Sequence, residues 1–266
     1  MRPSRLSYWR IAAVIPLAVV GLGSIIATSQ GGGLSAPPVV NNLDPSGVWQ
    51  GTLTSDVTMN AVAVTAVITA SGSARLILAD GSQLSGSVVT NGDQVSGNLT
   101  GITELGLQWQ DNTTVSSFTI NGTVAQRSAI TGTYTGAGDS GTLTLTFDSV
   151  YDRTSSLAML AGQWERLDAL QNITATISFD AQGAIDGSDA DGCIYSGTVS
   201  VSDSSVDVYT VSLTVANCVV SGLDLDGQYT GTGVLSDQTA GSNQNDAFLL
   251  AVSDNRFVIT MRLNRI

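Results

Sequence analysis

Leu143-Thr144-Leu145-Thr146-Phe147 alternates an apolar side chain with a threonine at every step. This period of two puts Leu143, Leu145 and Phe147 on one face of an extended chain and the threonines on the other, the pattern of a half-buried strand. The same period recurs in Ile173, Ala175, Ile177 and Phe179. It recurs again at the end of the chain, where Phe257, Ile259, Met261 and Leu263 share one face and Val258, Thr260, Arg262 and Asn264 the other. Between such runs stand Asp80-Gly81, Asn91-Gly92, Asn121-Gly122 and Asp191-Gly192, dipeptides that supply the positive φ angles of tight reversals. Short strands joined by tight turns make an antiparallel meander. Helical periodicity is nearly absent; the one candidate is Ser155 to Leu160, with Ser155 or Ser156 as N-cap of a single apolar turn.

Three landmarks occur twice in the same order, which reads as an internal duplication. Gly47-Val48-Trp49 is echoed by Gly162-Gln163-Trp164, and Ser85-Gly86-Ser87-Val88 by Ser196-Gly197-Thr198-Val199. Gly132-Thr133-Tyr134-Thr135-Gly136-Ala137-Gly138 is echoed by Gly227-Gln228-Tyr229-Thr230-Gly231-Thr232-Gly233. The stretch from Gly101 to Gly122, which carries Trp109, has no counterpart in the second half and reads as an elaboration. Trp49, Trp164, Tyr134 and Tyr229 are expected to be buried core residues of the repeat, each pair superposing. The expectation is an all-β chain of two tandem meander barrels, with a first β domain over 46–150, a connector over 151–161 and a second β domain over 162–266.

A Gly-x-Trp that opens an antiparallel meander resembles the first strand of lipocalin-like barrels. That resemblance implies a tryptophan closing one barrel end and an interior able to hold a small apolar ligand. The wider plan resembles uncharacterised exported proteins and lipoproteins of proteobacteria, most of all from Tyr151-Asp152-Arg153 through Leu160-Ala161-Gly162 and in Asp191-Gly192-Cys193-Ile194-Tyr195-Ser196-Gly197. It implies location and architecture, not activity. The chain departs from the lipidated members, because its first cysteine is Cys193.

Working outward to the N-terminus, Arg2, Arg5 and Arg10 precede the apolar run Ile11 to Ala27, and a Gly/Pro linker runs over 30–45. This order is that of a secretory signal, with Ala27-Thr28-Ser29 as small residues at the cut, and cleavage after Ser29 is preferred. The competing reading is an uncleaved inner-membrane anchor made of residues 1–29. Both place the body in the periplasm or at the cell surface. All five prolines fall at or before Pro45, which marks the start of the folded body. The 266 residues carry ten arginines, no lysine, no histidine and 22 acids, of which only Glu104 and Glu165 are glutamates. Removing residues 1–29 takes three arginines and no acid, leaving seven arginines against 22 acids and a net charge of −15. Such a body repels nucleic acid and anionic lipid. Without histidine or lysine there is no imidazole-activated nucleophile, no ordinary zinc site and no Schiff base. Carboxylates are what remains for acid-base work, which narrows an enzyme to chemistry such as glycoside hydrolysis. An outer-membrane barrel also alternates, but 6% aromatic residues leave too few for two interfacial girdles.

The two cysteines, in an oxidising compartment, are expected to pair as Cys193–Cys218. Their segments read as a hairpin around Asp203 to Asp207, with Tyr195, Val199 and Val201 facing Tyr209, Val211, Leu213 and Val215. Pairing these faces sets Cys193 opposite Asn217, so one extra residue, a β-bulge near Ala216-Asn217, must return Cys218 to the level of Cys193. Asp186, Asp189 and Asp191 are the metal candidates by residue type, yet their spacing, like that of Asp224 and Asp226, fits Asp-Gly turns better than a calcium loop. Glu165 is a carboxylate candidate for a barrel mouth. No catalytic, cofactor-binding or metal residue is assigned. The functional expectation is a non-catalytic envelope or surface protein making contacts with another envelope protein; the alternatives are a carrier of a small apolar ligand and, third, a carboxylate-dependent glycosidase.

Overall fold

The computed structural model describes residues 41–266, and the expected signal or anchor segment and most of the linker lie outside the described residues. The alternating segments close into two barrels of eight antiparallel strands in tandem. The first barrel runs β1 (Gly47–Ser55), β2 (Ala61–Ile68), β3 (Ser73–Leu78), β4 (Gln83–Asn91), β5 (Gln94–Ile102), β6 (Val115–Ala125), β7 (Ala129–Gly136) and β8 (Asp139–Asp148). A one-turn helix α1 (Leu157–Leu160) follows, and Ser156 caps it by accepting from the Met159 N–H. The second barrel runs β9 (Gly162–Leu167), β10 (Ile173–Phe179), β11 (Ala184–Asp189), β12 (Ile194–Val201) and β13 (Tyr209–Ala216). A separate two-stranded hairpin, β14 (Val219–Val220) with β15 (Leu223–Asp224), intervenes before β16 (Gly227–Ser236), β17 (Ala247–Ser253) and β18 (Val258–Arg265) complete the barrel. Among the described residues no helix is long and apolar enough to cross a membrane.

The period of two survives where it was read. Leu143 and Leu145 are buried and the threonines between them exposed, with Phe147 half-buried at the strand end. Ala175, Ile177 and Phe179 point into the second barrel, but Ile173 does not: it is 56% exposed. The register against β9 slips between Ile173 and Ala175, and that irregularity turns Ile173 outward.

Two of the three repeated landmarks occupy equivalent places. Trp49 lies in β1 and Trp164 in β9, the first strand of each barrel, and both are fully buried. Gly86 lies in β4 and Gly197 in β12, the fourth strands. The register explains that glycine: a Cβ on Gly86 would stand 2.2 Å from the Asn98 carbonyl oxygen, and one on Gly197 2.1 Å from that of Ser212. The fourth and fifth strands approach too closely there for any side chain. The third landmark corrects the expected superposition. Tyr134 lies in the seventh strand, whereas Tyr229 lies in the sixth strand of its barrel. Gly86 pairs with Leu99 and Leu99 with Phe118, just as Gly197 pairs with Leu213 and Leu213 with Tyr229, so Phe118 is the residue equivalent to Tyr229. Both tyrosines are buried, but they are not repeats of one another.

The elaborated stretch also needs correction. In the first barrel the long connection between the fifth and sixth strands spans 103–114; in the second barrel the same connection spans 217–226 and holds the β14–β15 hairpin. Both halves elaborate the same loop with unrelated sequences.

The barrels pack outer face on outer face. Val48, Val67, Val150 and Tyr151 meet Val208 and Val234, and Ile77 meets Leu249 and Ala251. Arg75, 9% exposed, donates to Gln83 Oε1, to Ser253 Oγ and to the Thr230 carbonyl, while Gln83 Nε2 donates to the Val252 and Ile259 carbonyls and to Thr260 Oγ1. No carboxylate bonds to Arg75 among the described residues, and burial lowers its guanidinium to about 10. Thr260, on the face opposite Met261 and Leu263, donates to the Gly81 carbonyl of the first barrel.

Candidate functional site

Each barrel has one sealed end and one mouth. At the sealed end the indole N–H of Trp49 donates to the Pro45 carbonyl at 3.1 Å, and that of Trp164 to the Leu160 carbonyl at 2.9 Å. In both cases the acceptor lies four residues upstream, so the segment entering the barrel folds back across its base and satisfies the buried indole. The Arg265 guanidinium lies 4.3 Å from the Trp164 ring centroid and donates to the Ala161 and Met159 carbonyls, tying the last strand to the plug. Phe147 packs edge-on against Trp49 at 5.3 Å. Above the second plug, Phe179, Tyr209 and Phe248 form edge-to-face pairs that fill the interior.

The mouths differ. In the second barrel the Cys193–Cys218 disulfide joins the β11–β12 turn to the loop after β13, with Cα atoms 4.2 Å apart. The ladder ends at Ile194 opposite Ala216. Asn217, at φ 56°, is the extra residue that returns Cys218 to Cys193, so the expected insertion sits just past the last ladder pair. A cavity of 140 Å³ remains beneath this staple, lined by Tyr195, Asp189, Arg166 and, from the first barrel's long loop, Glu104 and Leu105. Burial raises the Glu104 pKa, and Arg166 partly counters it.

The first barrel's mouth has no such staple. It holds a cavity of 260 Å³ lined by Leu53, Leu78, Leu84 and Phe118 and rimmed by Ser55, Asp80 and Asp139, with Trp109 and Tyr134 at its side. Trp109 stands edge-on to Phe118, ring centroids 5.1 Å apart. Its loop is held down by the Asp111 N–H on the Ala137 carbonyl and by the Trp109 N–H on the Thr113 carbonyl. The Asp111 carboxylate accepts from the Thr113 hydroxyl and N–H, and these bonds lower its pKa. The Tyr134 hydroxyl donates to Asp139 at 2.8 Å; burial, then this bond, pushes its pKa up.

The aspartates read as metal candidates are not brought together. Asp189 is consumed locally, accepting from the Asp191 and Cys193 N–H groups and from the Tyr195 hydroxyl, while Asp186 is exposed on β11 and Asp191 exposed in the turn. Asp224 and Asp226 are used in the same way, accepting from the Asp226 and Cys218 N–H groups. Among the described residues no group of three or more His, Cys, Asp or Glu stands where it could hold a metal ion. Glu165 lies in the β9 ladder between Thr176 and Asn264, next in sequence to the plug Trp164 and so on the outer face. It is not at a mouth.

Two buried polar groups escaped sequence reading. Asp207 is 1% exposed, accepts from the Leu235 N–H through Oδ1 and has no partner at Oδ2. Burial lifts its pKa to about 7. Its environment is invisible from its own segment, because Tyr151, Arg153 and Leu235 reach it from distant parts of the chain. Arg75 carried a signal: it is the one charge inside the apolar run Ala74 to Leu78.

Comparison with protein-family models, with curated proteins and with solved structures gives no match to this chain.

Proposed function

We propose that this is an exported, non-catalytic envelope or surface protein in which two rigid, plugged barrels hold their mouth loops out for contact with a partner. The observation that carries the export reading is the Cys193–Cys218 disulfide, a bond that persists in oxidising compartments and is rare in the cytosol. The non-catalytic reading is supported by the carboxylates: Asp189, Asp226, Asp111 and Asp139 are engaged in turns, caps and tyrosine bonds that fix local structure. Thiol labelling after fractionation of the native host tests the reading. Blocked thiols in the envelope or medium fraction are expected; recovery from the cytoplasm with two free thiols overturns it.

A second reading, carriage of a small apolar ligand, is favoured by one observation, the apolar-floored cavity in the first barrel's mouth. It agrees with the lipocalin-like look of Gly-x-Trp and with the buried plugs. Native mass spectrometry of protein from its own envelope is expected to show a bound small molecule on this reading, and a bare chain argues for the first.

A further inference from the structure

Resting on the reading that the mouth loops contact a partner, we propose that the rim of the second barrel docks a basic, apolar segment of another protein. Exposed aliphatic side chains gather there. Of the eleven exposed large hydrophobic residues among those described, five stand in or beside three mouth loops, 168–172, 190–193 and 217–226: Leu170, Ile173, Ile194, Val219 and Leu223. The loops at the sealed end of the same barrel, 180–183, 202–208 and 237–246, carry none of the eleven.

Covalent and hydrogen-bonded links make these loops one surface. Ile194 follows Cys193 and Val219 follows Cys218, and the disulfide holds the two cysteine Cα atoms 4.2 Å apart, so the two exposed residues flank the staple. Val219 and Leu223 share the β14–β15 hairpin, in which Val220 pairs with Leu223. A hairpin this short does not hold itself together in water. The Leu225 N–H on the Cys218 carbonyl and the Cys218 N–H on the Asp226 carboxylate fix it to the rim. On the other side, the Ala190 N–H donates to the Thr174 carbonyl and brings the β11–β12 turn against the start of β10, next to Ile173. The first barrel uses its equivalent connection differently, packing Trp109 against Phe118. Apolar side chains held in place and left uncovered mark an interaction site, and their fixed backbone leaves little to order on binding.

Charge selects the partner. Asp191, Asp224 and Asp226 are exposed on the same loops, and none of the three loops carries an arginine. Arg166, the nearest in sequence, lines the cavity in the barrel mouth together with Tyr195. A second copy of so acidic a chain would bring like charge against these carboxylates, and an anionic membrane meets the same repulsion. The chain's own basic segment, residues 1–29, joins the body at the sealed end, where the Leu43 N–H bonds to the Gly92 carbonyl. A partner that offers lysine or arginine between apolar side chains satisfies both sets of groups on the rim.

The test titrates the exported protein by calorimetry with three matched synthetic peptides, one of lysine and leucine, one of glutamate and leucine, and one of lysine and glutamine. The lysine–leucine peptide should bind, and each of the others at least about tenfold more weakly. Leu170→Ser combined with Val219→Ser, at 82% and 64% exposed the two most open of the five, should weaken the lysine–leucine peptide about tenfold at an unchanged melting temperature. Asp191→Asn combined with Asp224→Asn keeps an oxygen to accept the Asp226 N–H and should lower both the affinity and its sensitivity to salt. Val89→Ser, 65% exposed on β4 of the first barrel, should change nothing. Equal binding of the two leucine peptides overturns the charge assignment, and equal binding of the two lysine peptides overturns the apolar one. A loss in Val89→Ser as large as in the double serine variant overturns the location. Binding to phosphatidylcholine vesicles that the double serine variant loses, with no peptide bound, gives the rim to a lipid surface instead, and no binding of any probe sinks the proposal. The export reading stands through all of these and falls separately, to free thiols at Cys193 and Cys218.

Discussion

Replacing Asp207 by asparagine should flatten the pH dependence of this protein's stability between pH 4 and 8. Asp207 sits in the connection between β12 and β13, flanked by Val206 and Val208, which pack among the inter-barrel valines and Tyr151. Its carboxyl is raised from 3.8 to about 7, first by burial; the Leu235 N–H and the Arg153 charge pull it down and Asp237 pushes it up. An acid whose folded pKa exceeds its unfolded value holds its proton more tightly in the folded state. Its contribution is therefore full below pH 4, is lost as the pH rises to 7, and is constant beyond. A shift of roughly three units at 1.36 kcal/mol each corresponds to about 4 kcal/mol across that window. The amide of Asp207→Asn does not titrate. Any cost of its unmet N–H donors is the same at every pH, so the slope rather than the absolute difference is the readout. Asp237, drawn down to about 2 chiefly by its bonds to Arg153, titrates outside the window, and Glu104, raised by burial, cancels between the two proteins. Urea unfolding at four pH values from 4 to 8.5 gives the comparison. Native protein should lose about 4 kcal/mol relative to the variant over that range. A difference that stays level, or that grows in favour of the native protein with rising pH, refutes the assignment of Asp207 as a buried, proton-holding carboxyl.

Arg75→Ala removes two charged hydrogen bonds that cross between the barrels, to Ser253 and Thr230, and one to Gln83 within the first, and should cost about 2 to 4 kcal/mol, splitting the calorimetric melt into two transitions; a single unshifted transition would mean the barrels do not couple through Arg75. Replacing both Cys193 and Cys218 by serine opens a loop of sequence separation 25 and should cost about 3.5 kcal/mol by the chain-entropy relation, measured by urea unfolding and confined to the second barrel. Gly86→Ala and Gly197→Ala each drive a Cβ into a neighbouring carbonyl and should lower stability by about 1 to 3 kcal/mol in their own barrel; a neutral result at either site contradicts the close strand approach.

Much of the fold was legible because a strand's period reports which side faces inward. Leu143, Leu145, Ala175, Ile177 and Phe179 could be placed on the inner face from spacing alone, and the parity of Cys193 against Cys218 demanded the extra residue that Asn217 provides. Period two cannot say what covers the other face. Ala74 to Leu78 and Phe248 to Val252 are buried on both parities, since their outer faces form the contact between barrels. The unbroken apolar run Phe248 to Val252, and the run Ala74 to Leu78 interrupted only by Arg75, were the available signal. The false match of Tyr134 with Tyr229 has a different cause. A Cβ added to the second glycine of each Gly-x-Tyr-Thr-Gly, Gly136 or Gly231, would stand within 2.4 Å of a neighbouring strand's carbonyl oxygen, so that position recurs in a sixth strand and a seventh for the same local reason. Gly132 is pressed in this way and Gly227 is not. Of the candidate site, Trp109 stood out as belonging to an elaboration, but the cavity beside it depends on Phe118 and Ala137, which only folding brings together.

The first barrel closes along eight residue pairs between β1 and β8, whereas the second closes along two, Asn264 with Glu165 and Arg265 with Trp164. Along Val258 to Leu263, β18 has β17 on one side and no ladder partner on the other among the described residues. β9 precedes by some 90 residues the strand it must meet, so the second barrel cannot close until the end of the chain is in place. An open strand edge invites another copy of the same chain to fill it. The first barrel's Glu104–Leu105 loop borders the same cavity as Arg166 and Phe257 to Met261. The first barrel's loop thus stands beside the stretch of β18 that the β9 ladder leaves open.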